Sequence, residues 1–348
     1  MSIDLRVIRA RPVFSDGRHN AFTGIARLDG ERVIAFRSAT DHLSGDGEVT
    51  VIGDDDGEWT VRTRLTASRP DDELRDPSLV TVDGELLVYT CASDSDVTPR
   101  RLVSMVATST DGRHFSDPQP VGGIPDGEWL WEVREHDGTL YGTTHDGGAS
   151  PPALYRSEDG RDWEPLLEFP DGGNEASIDI GADGRLWALV RDVAGPCPVV
   201  YSADPPYDQF RTTREKNLAG RVVPKRLQGP FVKRLAGGLV IIGREYDLYG
   251  GGKHNTRTNI WWRPDDSDPV LVRSLPSGGD TSYADWLDVE PGRALVSYYS
   301  GHTYRMDLPH DQDHRFEESR AYAEQNSPAD IYLAEVAYPA ERARRVNE

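Results

Sequence analysis

Six glycines, Gly30, Gly84, Gly138, Gly184, Gly238 and Gly292, each separate two short apolar runs, and they fall 54, 54, 46, 54 and 54 residues apart. The segments around them read GIARLDGERVIAFRS, PSLVTVDGELLVYTC, WEVREHDGTLYGTTH, SIDIGADGRLWALVR, FVKRLAGGLVIIGRE and LDVEPGRALVSYYSG. Asp-Gly and its relatives between β-rich runs mark tight hairpins, because such turns need positive φ at their centre. A period of about 50 residues with several strands per repeat is the pattern of a β-propeller. Six repeats therefore predict an all-β, six-bladed propeller of four-stranded antiparallel blades, with each glycine hairpin nearest the axis. The blades are expected roughly at 19–66, 70–122, 126–170, 173–222, 226–275 and 278–338, and residues 1–348 as one domain. The segments LRVIRARPVF and DIYLAEVAYP both have strand character. One of them is expected to complete a blade begun at the other end of the chain, closing the ring and hiding its edges. The polar stretch 302–328 between the last hairpin and DIYLAEVAYP is an insertion in the last blade, with a short helix expected near 316–325.

Composition narrows the partners. A formal charge of −20, from 59 acidic against 39 basic residues, repels phosphate backbones and argues against nucleic acid. Only Lys216, Lys225, Lys233 and Lys253 are lysines. The opening MSIDLRVIRARPVF lacks the basic-then-apolar pattern of a secretory signal, and no apolar run is long enough to span a membrane. A cytoplasmic location follows as the expectation, and the acidic surface suits a salt-rich cytoplasm in which self-repulsion is screened. Cys91 and Cys197 have no metal-ligand spacing and read as free thiols. His145 and His302 show no ligand spacing either, and no phosphate loop, dinucleotide fingerprint or serine-nucleophile elbow has a convincing context, so no metal or cofactor is implied.

A second repeat lies late in the blades. Ser109-Thr110-Asp111-Gly112-Arg113-His114-Phe115 and Ser157-Glu158-Asp159-Gly160-Arg161-Asp162-Trp163 share the pattern Ser-x-Asp-Gly-x-x-aromatic, with degraded copies at Asp54–Trp59 and Ser202–Pro205. The serine or aspartate caps backbone donors, the glycine takes the left-handed position and the aromatic packs between blades. This pattern resembles the Asp-box, or BNR repeat, of the sialidase superfamily, and the last hairpin, DTSYADWLDVEPGRALVSYYSG, resembles the closing blade of sialidase-like proteins. The resemblance covers essentially the whole chain and implies a glycoside hydrolase of neuraminidase type.

The internal repeat also allows positions to be compared by register. Nine residues before each turn glycine stand Ala21, Arg75, Trp129, Glu175, Gly229 and Tyr283; seven residues after it stand Arg37, Cys91, His145, Arg191, Glu245 and Tyr299. Antiparallel pairing brings the start of one strand beside the end of the next, so both sets belong to one face of the disc. Arginine, glutamate, tyrosine and histidine converging on one opening mark a site there.

Glu175 and Tyr283 are its sharpest pair. A phenol is a weak nucleophile unless a carboxylate takes its proton, and sialidases are glycosidases with a tyrosine nucleophile. Asn174-Glu175 followed by Ala188-Leu189-Val190-Arg191 is similar to the sialidase blade that carries the glutamate and one substrate arginine, and Tyr283 matches the family's nucleophile. Guanidinium groups bind carboxylates through paired hydrogen bonds. Arg191 matches one member of the family's arginine triad; for a second, register favours Arg244 and flanking sequence favours Arg257. Where the family has Arg-Ile-Pro this chain has Asn20-Ala21-Phe22, and Arg37 and Arg75 are left to supply charge nearby. For the general acid, FRSATDHLSGDGEV offers Asp41, His42 and Asp46, of which Asp46-Gly47 reads as the turn of that loop, and Arg75-Asp76-Pro77 offers Asp76; the choice is open. Trp129, Trp131 and Phe22 offer rings for stacking on sugars, and His145 and Tyr299 complete the rim.

The expected activity is hydrolysis of a terminal, acidic sugar from a small-molecule or oligosaccharide substrate. Uronate elimination by histidine or tyrosine with arginine, and sugar binding without turnover, are the alternatives. A nucleophile paired with its base argues against binding alone.

Overall fold

A computed structural model of the chain describes residues 4–94, 96–98, 100–146, 150–170, 173–191, 198–213, 227–245, 256–307 and 328–340. The first strand, β1 (Arg6–Phe14), belongs to the last blade. Blade 1 is β2 (His19–Leu28), β3 (Glu31–Ala39), β4 (Glu48–Asp55) and β5 (Glu58–Leu65); blade 2 is β6 (Glu73–Val82), β7 (Glu85–Asp94), β8 (Arg101–Ser109) and β9 (Gln119–Pro120). Blade 3 is β10 (Trp129–His136), β11 (Thr139–His145), β12 (Ala153–Ser157) and β13 (Glu164–Glu168); blade 4 is β14 (Ala176–Ile180), β15 (Leu186–Val190), β16 (Val199–Ala203) and β17 (Arg211–Thr213). Blade 5 is β18 (Leu227–Leu235), β19 (Gly238–Glu245), β20 (Arg257–Pro264) and β21 (Val270–Ser274); blade 6 holds β22 (Thr281–Glu290), β23 (Arg293–Ser300), β24 (Asp330–Ala337) and β1. All six sheets are antiparallel meanders, so the protein is a six-bladed propeller with the glycine hairpins innermost.

Closure is by the N-terminal strand. β1 runs antiparallel to β24 from Arg6 opposite Ala337 to Phe14 opposite Ile331, which covers an edge that would otherwise template aggregation. Apolar residues of neighbouring blades interleave; one such layer joins Phe231, Ile242 and Trp262 of blade 5 to Trp286, Val296 and Tyr332 of blade 6.

The first strands face the axis and leave N–H groups without a ladder partner. Side chains of the preceding blade accept them: Asp285 from Ile25 N at 2.9 Å, Ser78 from Val133 N at 3.0 Å, Glu132 from Ile178 N at 2.9 Å and Ser177 from Val232 N at 2.9 Å. Part of the polarity lining the axis is therefore scaffold, satisfying buried donors.

Glu132 is the most exacting of these groups. Burial pushes its carboxyl up to about 7 against the pull of Arg134 and the Ile178 N–H. A carboxyl raised in the folded state binds its proton more tightly there than in the unfolded chain, so folding stability falls as pH rises through that range. The melting temperature is expected to drop between pH 5 and pH 8, and Glu132→Gln to flatten the drop. An equal slope in the variant would remove Glu132 as its source.

The Ser-x-Asp-Gly turns are built as their residues dictate. Gly112 N donates to Ser109 Oγ at 2.9 Å while Arg113 N and His114 N both donate to Asp111 Oδ1 at 2.8 Å. Gly160, Ser157 and Asp159 repeat the arrangement, and Trp163 packs edge-on to Tyr89 of blade 2.

Register departs from expectation in two blades. In blades 1 to 3 the strands pair Ala21 with Arg37, Arg75 with Cys91 and Trp129 with His145, and Arg191 N donates to Glu175 O in blade 4. In blade 5 the left-handed turn residue is Gly237 (φ +84°), not Gly238, so Gln228 pairs with Arg244 and Leu227 with Glu245. In blade 6 bulges in β22 set Ser282 opposite Tyr299 and leave Tyr283 in the bulge itself.

Cys91 is buried as a packed hydrophobe, its thiol pushed up by desolvation; Cys197, Lys216, Lys225, Lys253 and the helix expected at 316–325 lie outside the described residues. The insertion begins with a short 3₁₀ turn, His302–Asp307. Among the described residues no helix is long and apolar enough to cross a membrane.

Candidate active site

β-Bulges shape the opening. They follow Ala21, Arg75, Leu130, Gln228 and Ser282 on the first strands, and the bulged Phe22 (φ +59°), Asp76 (φ +51°), Gly229 (φ +54°) and Tyr283 (φ +48°) are left-handed. A bulge re-aims a side chain that a regular strand would point into the sheet. Tyr283 is thereby turned toward blade 4, where its hydroxyl donates to Glu175 Oε1 at 2.6 Å.

Glu175 is 3% exposed and fully engaged. Arg191 donates to Oε1 at 2.7 Å and Gly229 N to Oε2 at 2.9 Å. Burial alone would raise its carboxyl, but Arg191, His145, the Tyr283 hydroxyl and Gly229 N–H outweigh it and hold the group below its ordinary range. Tyr283 moves the other way. Burial, reinforced by the negative Glu175, lifts its phenol well above the usual value against Arg244 and Arg191. The resting pair is therefore a neutral phenol hydrogen-bonded to an ionised carboxylate, the arrangement from which a proton can be drawn as the oxygen attacks. Glycine at 229 is needed twice: for its positive φ, and because a Cβ there would come within 2.9 Å of the Tyr283 ring. Phe22 packs edge-on to that ring with centroids 4.8 Å apart, Trp131 lies at 6.3 Å, and the Arg244 guanidinium stands 5.7 Å from its centre.

A second carboxylate escaped sequence reasoning. Asp280, in the turn before β22, takes four donors: His19 Nε2 at 2.9 Å and His42 Nδ1 at 2.5 Å on Oδ2, Arg244 at 2.7 Å and the Tyr299 hydroxyl at 2.8 Å on Oδ1. Burial would raise it, yet His42, His19 and Arg244 hold it well below the ordinary carboxylate value. The aspartate stands three residues before Tyr283, and His19 opens β2, at the same end of the propeller; that placement was the available signal. One ligand atom each from His19, His42 and Asp280 lie within 4.8 Å of one another. The close approaches are hydrogen bonds onto a single oxygen, and the Arg244 guanidinium already occupies the other, so this donor set fits a metal ion poorly.

The remaining candidates divide by access. Arg37 is 0% exposed, with Glu73 on Nε and Nη2 at 2.9 and 2.7 Å and the carbonyls of Asp41 and Ser44 on its other donors. It braces the loop after β3 and cannot touch a ligand, which corrects its expected role. Tyr299 is likewise fully buried and holds Asp280 instead of lining the rim. The Asp41 carboxylate accepts Leu43 N and Ser44 N at 2.8 and 2.7 Å; it shapes the loop that carries His42. Arg75 is held by Glu73 at 3.2 Å and Asp76 at 3.4 Å and lies over Phe22. Asp76 lines a cavity on the axis together with Trp131, Glu132, Arg134 and Tyr283. Arg244 is engaged with Asp280 and with Gln228 at 2.9 Å. Arg257 is exposed at the start of β20 and, among the described residues, donates only to the Thr256 carbonyl at 2.8 Å. Trp129 stacks on His145 at 4.4 Å, both buried, with burial lowering the imidazole. His302 sits beside Ser300 Oγ at 3.0 Å, against Tyr332.

No family model matches the sequence, and no curated protein matches it. Solved structures do. The Hadza microbial sialidase Hz136 is similar with a TM-score of 0.58 and 14% identity, over 80% of this chain and 63% of that one. Trypanosoma rangeli sialidase in complex with 2,3-difluorosialic acid, as the covalent intermediate, is similar with a TM-score of 0.63 and 12% identity, over 95% and 57%. The chain has the sialidase fold. Penicillium chrysogenum alpha-L-arabinanase complexed with arabinobiose is similar as well, with a TM-score of 0.61 and 12% identity, over 94% of this chain and 98% of that one. At such identities the likeness is one of fold, and the chain spans about three-fifths of the length of those two sialidases.

Proposed function

We propose that this sialidase-fold protein is a glycoside hydrolase that transfers a terminal sugar to Tyr283 and then to water. One observation carries the reading: the Tyr283 hydroxyl donates to a buried, ionised Glu175 at 2.6 Å. In the first step the phenol oxygen bonds to the anomeric carbon, its proton passes to Glu175, and the leaving oxygen departs with a proton from a general acid. In the second, water replaces Tyr283 at that carbon and the phenolate recovers its proton from Glu175. A neutral phenol suits an anomeric centre whose neighbouring negative charge would repel a carboxylate nucleophile. Arg191, Arg244 and Arg257 are the groups available to an acidic substituent on the sugar. Arg191 and Arg244 are already paired with Glu175 and Asp280, and the buried Asn20 stands in place of the third clamp arginine. Recognition then rests less on a triple arginine clamp than on Trp131, Phe22 and Arg257.

The test is a screen of chromogenic glycosides and uronic-acid polymers, followed by incubation with the 2-fluoro glycosyl fluoride of whichever sugar is turned over. Mass spectrometry is expected to find the fluoro-sugar attached at Tyr283. Attachment to a carboxylate, or turnover only of uronates with an unsaturated, ultraviolet-absorbing product, would overturn the reading.

A further inference from the structure

We infer that His42 is the general acid and base of this site and that Asp280 is the positioning residue that holds it; this rests on the glycosidase reading above. Asp280 is ionised and so can only accept. Its Oδ2 contacts therefore require protons on His19 Nε2 and on His42 Nδ1. The two histidines differ in access. His19 is 0% exposed, burial lowers its pKa against the pull of Asp280, and its Nδ1 has no partner among the described residues, so it is a neutral, fixed donor. The His42 side chain is 16% exposed, and its Nε2 makes no hydrogen bond among the described residues. One nitrogen is tied to a carboxylate and the other is free to serve a substrate, as in an imidazole oriented for proton transfer.

Position agrees with that role. The His42 ring stands 5.3 Å from Phe22, which in turn stands 4.8 Å from Tyr283, so the imidazole and the nucleophile pack against one and the same ring. The competing acids are less free: Asp41 is tied to backbone N–H groups and Asp76 faces Arg75. In the first step doubly protonated His42 gives its Nε2 proton to the glycosidic oxygen as the bond to the anomeric carbon breaks and Tyr283 bonds to that carbon. In the second, neutral His42 takes a proton from the attacking water and returns to its starting state. The charged groups facing this imidazole are Asp280, with Arg244 behind it, and His19.

Leaving-group dependence tests the assignment, because a departing oxygen that is already acidic needs little help. His42→Gln is expected to lose about 10²- to 10⁴-fold in kcat for alkyl and weakly acidic phenyl glycosides, and far less for the dinitrophenyl glycoside of the same sugar. Asp280→Asn is expected to lower kcat with little change in KM, most for the weakly acidic leaving groups and least for dinitrophenol, as loss of the imidazole's orientation requires. Tyr283→Phe, assayed beside them, separates the possible failures. If that variant is inactive and His42→Gln loses rate equally with every leaving group, the assignment to His42 falls and the nucleophile stands. If Tyr283→Phe keeps full activity, or the wild-type protein cleaves no glycoside, the underlying reading falls and His42 with it.

Discussion

Tyr283→Phe, Glu175→Gln and the double variant are expected to lose turnover to nearly the same extent, by about 10³-fold or more, while still binding sugar. The phenol and the carboxylate share one proton across a 2.6 Å contact, and neither performs its step without the other. Removing the hydroxyl leaves Glu175 with no proton to take, and removing the carboxylate leaves a buried phenol with no base to take its proton. Losses that simply added in the double variant would mean two independent roles and would sink the pairing. The pH dependence has a definite sign. Glu175 works ionised, and its neighbours hold it below the ordinary 4.5. The acid limb it controls therefore lies below that pH, with activity present above it and lost as pH falls through the folded-state value. Glu175→Gln should abolish that limb along with the rate. Calorimetric titration with the product sugar checks that binding persists, since the ring of Tyr283 and the surrounding aromatic residues are untouched by either substitution.

The architecture was legible because tight turns leave a mark in the residues that adopt them. Positive φ at the hairpin centre calls for glycine, and six such turns at near-equal spacing number the blades without reference to any other protein. Finer register was less legible. Ala236-Gly237-Gly238 offers two glycines, and only the backbone conformation identifies Gly237 as the turn residue. The bulges that turn Tyr283 out of regular pairing in β22 have no residue signature, so counting from Gly292 arrives at Tyr283 although a bulge, not strand pairing, sets its place. Arg37 shows the limit of register as a guide to access: it occupies an axis-facing position and is nonetheless sealed beneath a loop by Glu73. His19 and Asp280 were missed because their contact joins residues 261 positions apart, across the junction where the ring closes. Nothing in either local segment announces the other.

Glu73 is the residue whose loss should damage the fold most. Its carboxylate, 1% exposed, accepts Arg37 Nε and Nη2 at 2.9 and 2.7 Å on one oxygen, and Arg75 and Arg100 at 3.2 and 3.0 Å on the other. Three guanidinium groups thus meet on one carboxylate; Arg75 has Asp76 as a second counter-charge at 3.4 Å, whereas Arg37 is 0% exposed and paired with Glu73. Removing one partner of a buried ion pair leaves the other charge uncompensated, which costs far more than the pair itself contributes. Glu73→Ala is expected to destabilise the protein by about 3–5 kcal/mol in denaturant unfolding. Glu73→Gln, which keeps an acceptor but not the charge, should cost less. The consequence reaches the proposed chemistry, because Arg37 also donates to the carbonyls of Asp41 and Ser44 at 2.8 and 2.5 Å and so fixes the loop that carries His42. Freed of Glu73, that guanidinium would reorganise toward water and release the loop. Catalysis limited by His42 should then fall in Glu73→Gln even at temperatures where the variant is fully folded, more steeply for poor leaving groups than for good ones. A Glu73→Ala protein as stable as the wild type would show that the three arginines find other counter-charges, and that the loop is held by something else.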